Sequence, residues 1–355
     1  MPRTSRLSPA SVLIIAGGRG TRFWPASREA RPKPLFSIDG KSSLLADTLA
    51  RHVALVGRER IFVLAAAAHQ GPFRRALRDL IPARNLIIEP TGRGTAVAIA
   101  YGAAVIKRRL GDNVIAAVAA DHYIQTAAQY HRTLLDTIHL ATTHESIVTI
   151  GVTPAWPETG YGYQKIGPKV GVGFQIERFV EKPPLALARR MVRSGNYFWN
   201  PSMFVMSTRT LAREFAEHCP QLGIAAEKLA ATPRAKLASA YRRLKFDSFD
   251  RVIMEKSRHV LCVRARFSWH DVGSWDGLMT AVADPRGSVM RGNVISLDSG
   301  RVLAHSDSRL MVLLGVRDLI VVDTGDAILV AHREMSQHVG RVTNELERRG
   351  MRRYL

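Results

Sequence analysis

The stretch that most constrains this chain is an apolar run broken by glycines: residues 12–36 read VLIIAGGRGTRFWPASREARPKPLF. Val12 to Ala16 is strand-like, and it stops at Gly17 and Gly18. Gly20, Thr21 and Arg22 then lead through Pro25 to Lys33. Glycines admit backbone conformations closed to other residues and let bare N–H groups approach an anion, while Arg22 and Lys33 add charge-assisted donors. A strand followed by a phosphate-binding loop selects nucleotides or sugar phosphates as the ligand class. No Gly-Lys-Ser/Thr closes the loop, so it is not a Walker A loop, and Gly17, Gly18 and Gly20 lack dinucleotide-binding spacing.

The chain after this loop alternates. Helical spacing over 42–53 precedes a β-rich run at 61–64, and helical spacing over 73–80 precedes an apolar run at 86–88. An alanine-rich helix over 94–109, a strand over 114–118, a helix over 127–142 and a strand over 147–150 follow. Such alternation predicts right-handed crossovers and a Rossmann-like, mainly parallel α/β sheet. Ligands in such sheets sit at the carboxyl ends of the strands.

Beyond Gly151 the text becomes rich in Gly and Pro (TPAWPETGYGYQKIGP), with a strand expected over 174–180 and another over 203–206. Helices are expected over 185–193, 208–218 and 234–244. Near Asp284-Pro285 it changes again, to short β-like runs separated by turn signals, closed by a basic helix over 334–349. This divides the chain into a catalytic domain over 8–283 and a small β domain with a terminal helix over 284–355.

Composition narrows the partners. Fifty-one Lys and Arg against thirty Asp and Glu leave a net charge of +21, but the basic residues are scattered, with no basic tail and no interleaved aromatic stripe. That favours a positive funnel toward anionic substrates over nucleic-acid binding. No apolar stretch reaches membrane-spanning length. Two cysteines without metal spacing, and no signal-peptide pattern, point to a reducing, cytoplasmic setting. The twelve histidines form no paired metal motif; His122 and His270 instead adjoin two aspartates as supporting groups.

The string GGRGTRFWPASREARPKP resembles the signature loop of sugar-nucleotide pyrophosphorylases, a nucleotidyltransferase family, in the Trp-Pro and Ser-Arg variant of mannose-1-phosphate guanylyltransferases. The resemblance implies a GT-A-like catalytic domain and a small C-terminal β domain of left-handed β-helix character. It also implies a nucleotide held by Ala16, Gly17, Gly18, Gly20 and Thr21, with Arg22 and Lys33 as catalytic cations.

Other segments extend the likeness. Asp121, in VAADHYI, can hold Mg²⁺ against phosphate oxygens or cap the segment that follows; the family has Pro-Ala-Asp-His here, and the resemblance implies a metal ligand, with Ala119 in place of the proline. Asp271, in FSWHDVGSWDG, matches the family's Asp-Val-Gly-Ser-Trp and implies a second metal ligand. FVEKP supplies Glu181 as a sugar contact and catalytic Lys182, or else a strand end with a surface ion pair. TGYGY matches the family segment that brings the backbone at Gly162 against the sugar, or is simply a turn, and the resemblance implies Asn200 as a sugar contact, although Pro201 and Ser202 replace the family's Ser-Gly. Guanine presents N–H donors, so Glu89 in IIEPTGRGTAVAIA is a candidate acceptor, or a surface acid at a strand end. Gly94 and Thr95 would add N–H groups at a helix start; Gly94 and Val97 depart from the family's Arg-Asn-Thr-Ala-Pro.

The implied reaction joins GTP and α-mannose 1-phosphate into GDP-mannose and pyrophosphate with Mg²⁺ or another divalent cation. The small β domain offers a homodimer contact. The alternatives are the same chemistry with another NTP or hexose 1-phosphate, and a catalytically weak nucleotide-sugar-binding regulatory protein.

Overall fold

The computed structural model describes residues 10–355 except 19 and 39; residues 1–9, including the expected domain start at 8, lie outside the described residues. Sixteen strands are described. They are β1 Ala10–Ala16, β2 Ile61–Ala66, β3 Leu86–Glu89, β4 Val114–Ala119, β5 Tyr123–Ile124, β6 Ile147–Gly151, β7 Gly162–Val170, β8 Gly173–Glu181, β9 Tyr197–Asn200, β10 Phe204–Ser207, β11 Val260–Arg264, β12 Trp269–His270, β13 Val289–Leu297, β14 Leu303–Leu314, β15 Leu319–Asp323 and β16 Ile328–His332. The helices are α1 Leu44–Val56, α2 Gln70–Ala76, α3 Thr95–Leu110, α4 Ala127–Thr143, α5 Leu185–Ser194, α6 Thr208–His218, α7 Pro220–Ala231, α8 Arg234–Arg242, α9 Trp275–Val282 and α10 Gly340–Arg348.

Ten strands form one sheet in the order β3-β2-β1-β4-β10-β6-β11-β8-β7-β9. From β3 to β4 every pairing is parallel, as the helix-connected alternation predicts, and β6 pairs with β11 in parallel. β10 enters antiparallel between β4 and β6, and β7, β8 and β9 form an antiparallel wing. Successive residues of the central strands feed opposite faces. Leu13, Ile115 and Ala117 pack with α3 and its neighbours, while Val12, Ile14, Ala116 and Val118 pack with the core under α1 and α4. Both faces are covered, which is why these strands read as continuous apolar runs.

β13, β14 and β15 pair in parallel and β16 closes them antiparallel. A third core cluster joins this sheet to the phosphate loop: Phe23, Trp24 and Phe36 pack with Trp275, Leu303, Ile320 and Val339. Trp275 is fully buried, its ring 4.8 Å from Phe23 and its Nε1 donating to Trp24 O at 3.1 Å.

Several expected elements move. The helix expected over 73–80 lies at Gln70–Ala76, because Asp79 turns at φ 63°. The Gly- and Pro-rich segment contains β7, whose polar groups pair with two neighbouring strands. The terminal helix expected over 334–349 is a 3₁₀ segment, Arg333–His338, followed by α10; the break lets Val339 enter the third cluster.

Candidate active site

The phosphate loop leaves the carboxyl end of β1. Ala16 is the last, buried residue of that strand, and Thr21 and Arg22 begin a single 3₁₀ turn, Thr21–Phe23. Gly18, Gly20, Thr21, Arg22 and Lys33 line a cleft of about 280 Å³ that Asp121 and Asp271 also line.

These aspartates lie 150 residues apart in the chain, and a short ribbon joins their segments. β5 and β12 pair antiparallel with His270 opposite Tyr123, so Asp271 follows β12 just where His122 and Asp121 precede β5. His122 Nε2 stands 3.9 Å from Asp271 Oδ1. Lys33, itself buried, donates from Nζ to Asp121 Oδ2 at 2.6 Å and reaches Asp271 O at 3.5 Å. Burial alone would raise the Asp121 carboxyl pKa, but the Lys33 ammonium and His122 outweigh it and hold it below its ordinary value. Burial pushes the His122 imidazole down from its ordinary value, more than the two aspartates raise it, and its ring stands against the edge of Trp269. Among the described residues no group of three or more His, Cys, Asp or Glu side chains is placed to hold a metal ion.

A second cleft of about 700 Å³ opens beside the first and shares Arg22, Asp271 and Gly273 with it. Here strand register makes the site. Gly162 pairs with Glu181 on one side and with Asn200 on the other, so three residues separated by up to 38 positions stand in one cross-strand row. Glu181 and Lys182 contact each other at 3.2 Å. Lys182, Ser202 and Val272 all line this cleft with φ between 47° and 52°, a left-handed conformation that non-glycine residues adopt at a cost of roughly 1–3 kcal/mol each. Such outliers cluster where side chains are aimed for a purpose.

Asn200 is buried and committed at both ends of its amide. Its Nδ2 donates to Asp250 Oδ1 at 2.8 Å, and its Oδ1 accepts from Ser202 N at 3.1 Å. Asp250 opens a π-helical turn, Asp250–Met254, and nothing in the sequence pattern points to it. Burial, with the neighbouring Glu181 charge added, pushes its carboxyl pKa up to about 7.

On the other side of the phosphate loop, Glu89 is buried at the end of β3. Its Oε1 accepts from Tyr241 Oη at 2.9 Å and from Arg93 N at 3.3 Å. Burial raises its pKa despite these donors. Its Oε2 lies near Gly17, where a Cβ would approach it to 3.3 Å. Gly94 caps α3 with φ 89° and ψ 162°, and a Cβ there would lie 3.0 Å from Asp247 O. The Thr95 hydroxyl accepts from Phe249 N at 2.9 Å. Gly94 and Thr95 therefore join the start of α3 to the 246–249 segment. Tyr241, Asp250 and Gln337 are among the site residues that sequence reasoning missed.

The C-terminal part also reaches the site. Arg22 Nη1 donates to Gln337 Oε1 at 2.7 Å, and Trp24 Nε1 to Tyr354 O at 2.8 Å. Arg28 forms a forked ion pair with Asp326 and bonds Thr324.

Residues 11–286 match the Nucleotidyl transferase family, and residues 292–346 match the MannoseP isomerase/GMP-like beta-helix domain family. The chain is 35% identical to the xanthan biosynthesis protein XanB of Xanthomonas campestris pv. campestris, over 97% of this chain and 74% of that protein. It is 33% identical to a mannose-1-phosphate guanylyltransferase of Salmonella muenchen, with the same coverage of 97% and 74%. Among solved structures it is similar to a protein of Thermus thermophilus described as mannose-1-phosphate geranyltransferase, with a TM-score of 0.87 at 34% identity, covering 96% of this chain and 99% of that one. Among the described residues, no helix is long and apolar enough to cross a membrane.

Proposed function

From the premise that this chain belongs to the nucleotidyl transferase family, we propose that it transfers GMP from GTP to α-mannose 1-phosphate, giving GDP-mannose and pyrophosphate. The observation that carries this reading is the meeting of two clefts at Arg22 and Asp271: a glycine-lined one of phosphate size and a larger one ringed by polar groups.

A sugar-phosphate oxygen attacks the α-phosphorus as the bond to the bridging oxygen of the β-phosphate breaks, and pyrophosphate leaves in line. The phosphate monoester is already anionic at neutral pH, so no general base and no covalent nucleophile are needed. Gly17, Gly18, Gly20 and Thr21 hold the triphosphate, and Arg22 and Lys33 neutralise charge as it shifts toward the leaving group. Glu181 accepts from sugar hydroxyls, Asn200 and the backbone at Gly162 fix the ring, and Lys182 meets the attacking phosphate. Glu89, with Gly94 and Thr95 beside it, faces the base.

Two carboxylates facing a phosphate-sized cleft, without a third protein ligand, fit Mg²⁺, which keeps most of its coordination for phosphate oxygens and water. Asp121 and Asp271 would hold it, and when bound it supplies charge neutralisation between phosphate oxygens.

We assign residues 8–283 to catalysis and 284–355 to the small β domain, in a cytoplasmic protein. An exposed stripe on that domain, with Ile295 beside Val312 and Leu297 beside Leu314, supports a homodimer contact there.

A second reading keeps the chemistry and changes the substrates. The departures of Gly94, Val97, Pro201 and Ser202 from the family pattern favour it. Pyrophosphate release by the purified protein, with a panel of NTPs crossed against mannose 1-phosphate and glucose 1-phosphate, decides between them. GTP with mannose 1-phosphate should be the preferred pair; preference for another pair convicts the specificity and spares the mechanism, and release with no pair overturns the reaction in favour of a binding protein.

A further inference from the structure

Gln337 ties together the loops that carry Arg22 and Asp271. Its Oε1 accepts from Arg22 Nη1 at 2.7 Å while its Nε2 donates to Ser274 Oγ at 3.3 Å. Ser274, three residues beyond Asp271, caps α9 by accepting from Gly277 N at 3.3 Å. The 3₁₀ segment that bears Gln337 is itself fastened to α9. Arg333 pairs with Asp276, and Asp276 N donates to Ser336 Oγ at 2.9 Å. A glutamine from the C-terminal part of the chain thereby lines the larger cleft, and its amide orientation is set by a donor on one side and an acceptor on the other.

Arg22 is exposed and long, so a guanidinium in its position would otherwise sample many rotamers. We infer that Gln337 is a positioning residue: it holds the Arg22 guanidinium over the phosphate cleft and couples its placement to the Asp271 loop through Ser274. The small β domain is then a working part of the site. This role rests on the reading of Arg22 as a phosphate-binding cation of a nucleotidyltransferase.

A double-mutant cycle of Gln337→Ala and Arg22→Ala tests it with two readouts, calorimetric affinity for inorganic tripolyphosphate and pyrophosphate release from GTP and mannose 1-phosphate. Gln337→Ala should weaken tripolyphosphate binding about fivefold and lower kcat about tenfold, as expected for losing one hydrogen bond that orients a charged group, with KM for mannose 1-phosphate changed less than about twofold. In the Arg22→Ala background the same substitution should change either readout by less than about 1.5-fold, because the residue it acts through is gone. Additive effects would show a merely structural glutamine and overturn the proposal, as would a wild-type protein that binds no tripolyphosphate. Gln337→Met, of similar length and without the amide, repeats the cycle if the alanine variant unfolds. Tripolyphosphate binding with the expected coupling, but no pyrophosphate release from any substrate pair, would sink the proposed reaction and leave the positioning role standing.

Discussion

Gly162 and Glu181 face one another across β7 and β8 so closely that a Cβ on Gly162 would lie 2.8 Å from Glu181 Oε2. The same methyl would meet the Phe179 ring, also at 2.8 Å, so the Glu181 carboxylate and the Phe179 ring would both have to shift. Gly162→Ala is expected to raise KM for the sugar phosphate by about tenfold to a hundredfold, the scale on which small misplacements act. Overpacking should also cost about 1–3 kcal/mol of stability. Steady-state kinetics with varied sugar phosphate check the first effect, and an unchanged KM would remove Gly162 from the sugar site.

Asp121→Asn should keep the fold and lower turnover at least about a hundredfold, since it removes a charge fixed at the reacting phosphates. Near-normal pyrophosphate release would exclude Asp121 as a metal ligand. The same variant changes acid stability. Burial works against the Asp121 carboxylate, but Lys33 and His122 more than offset it, so the folded pKa lies below the unfolded value of about 3.9. Such a group stabilises the folded chain above the unfolded pKa, and the contribution is lost as pH falls through the folded one. Wild-type thermal stability should therefore drop more steeply below about pH 4 than that of Asp121→Asn.

Asp250 behaves in the opposite sense. Burial and then the Glu181 charge push its pKa up to about 7, so the folded chain keeps a proton that the unfolded chain has lost. Its contribution is full below about pH 3.9 and disappears as pH rises through about 7. Relative to wild type, Asp250→Asn should gain about 1–3 kcal/mol between pH 5 and pH 8, read from urea unfolding at the two values. An equal difference at both would show that Asp250 does not titrate in this range.

Gly94→Asn restores the residue that the resemblance to mannose-1-phosphate guanylyltransferases places at this position. Here it should destabilise, by about 1–3 kcal/mol, because a φ of 89° with a ψ of 162° is a conformation essentially confined to glycine. The added Cβ would also press on Asp247 O. Chemical denaturation checks the loss; a neutral substitution would mean that the 246–247 backbone yields easily.

The parallel half of the sheet was legible because runs such as Ile61–Ala66 and Val114–Ala119 are apolar and buried almost throughout. β7 was not, since its alternation is broken by irregular register at Lys165, Ile166 and Lys169 within a Gly- and Pro-rich segment. The candidate site divides in the same way. Residues carried by contiguous motifs could be named in advance. Asp250, Tyr241 and Gln337 meet Asn200, Glu89 and Arg22 across 50, 152 and 315 positions, and no local spacing encodes such meetings.

The bonds from Arg22 to Gln337 and from Trp24 to Tyr354 also set an order of events during synthesis. At about 5–20 residues per second, a ribosome needs roughly 20–60 s to make the chain that separates these partners. In that interval β1 and its parallel neighbours have all they need to pair, while the loop beside them still lacks its anchors. A nascent chain would thus hold the glycine loop at the end of β1 well before Gln337 could fix the arginine beside it.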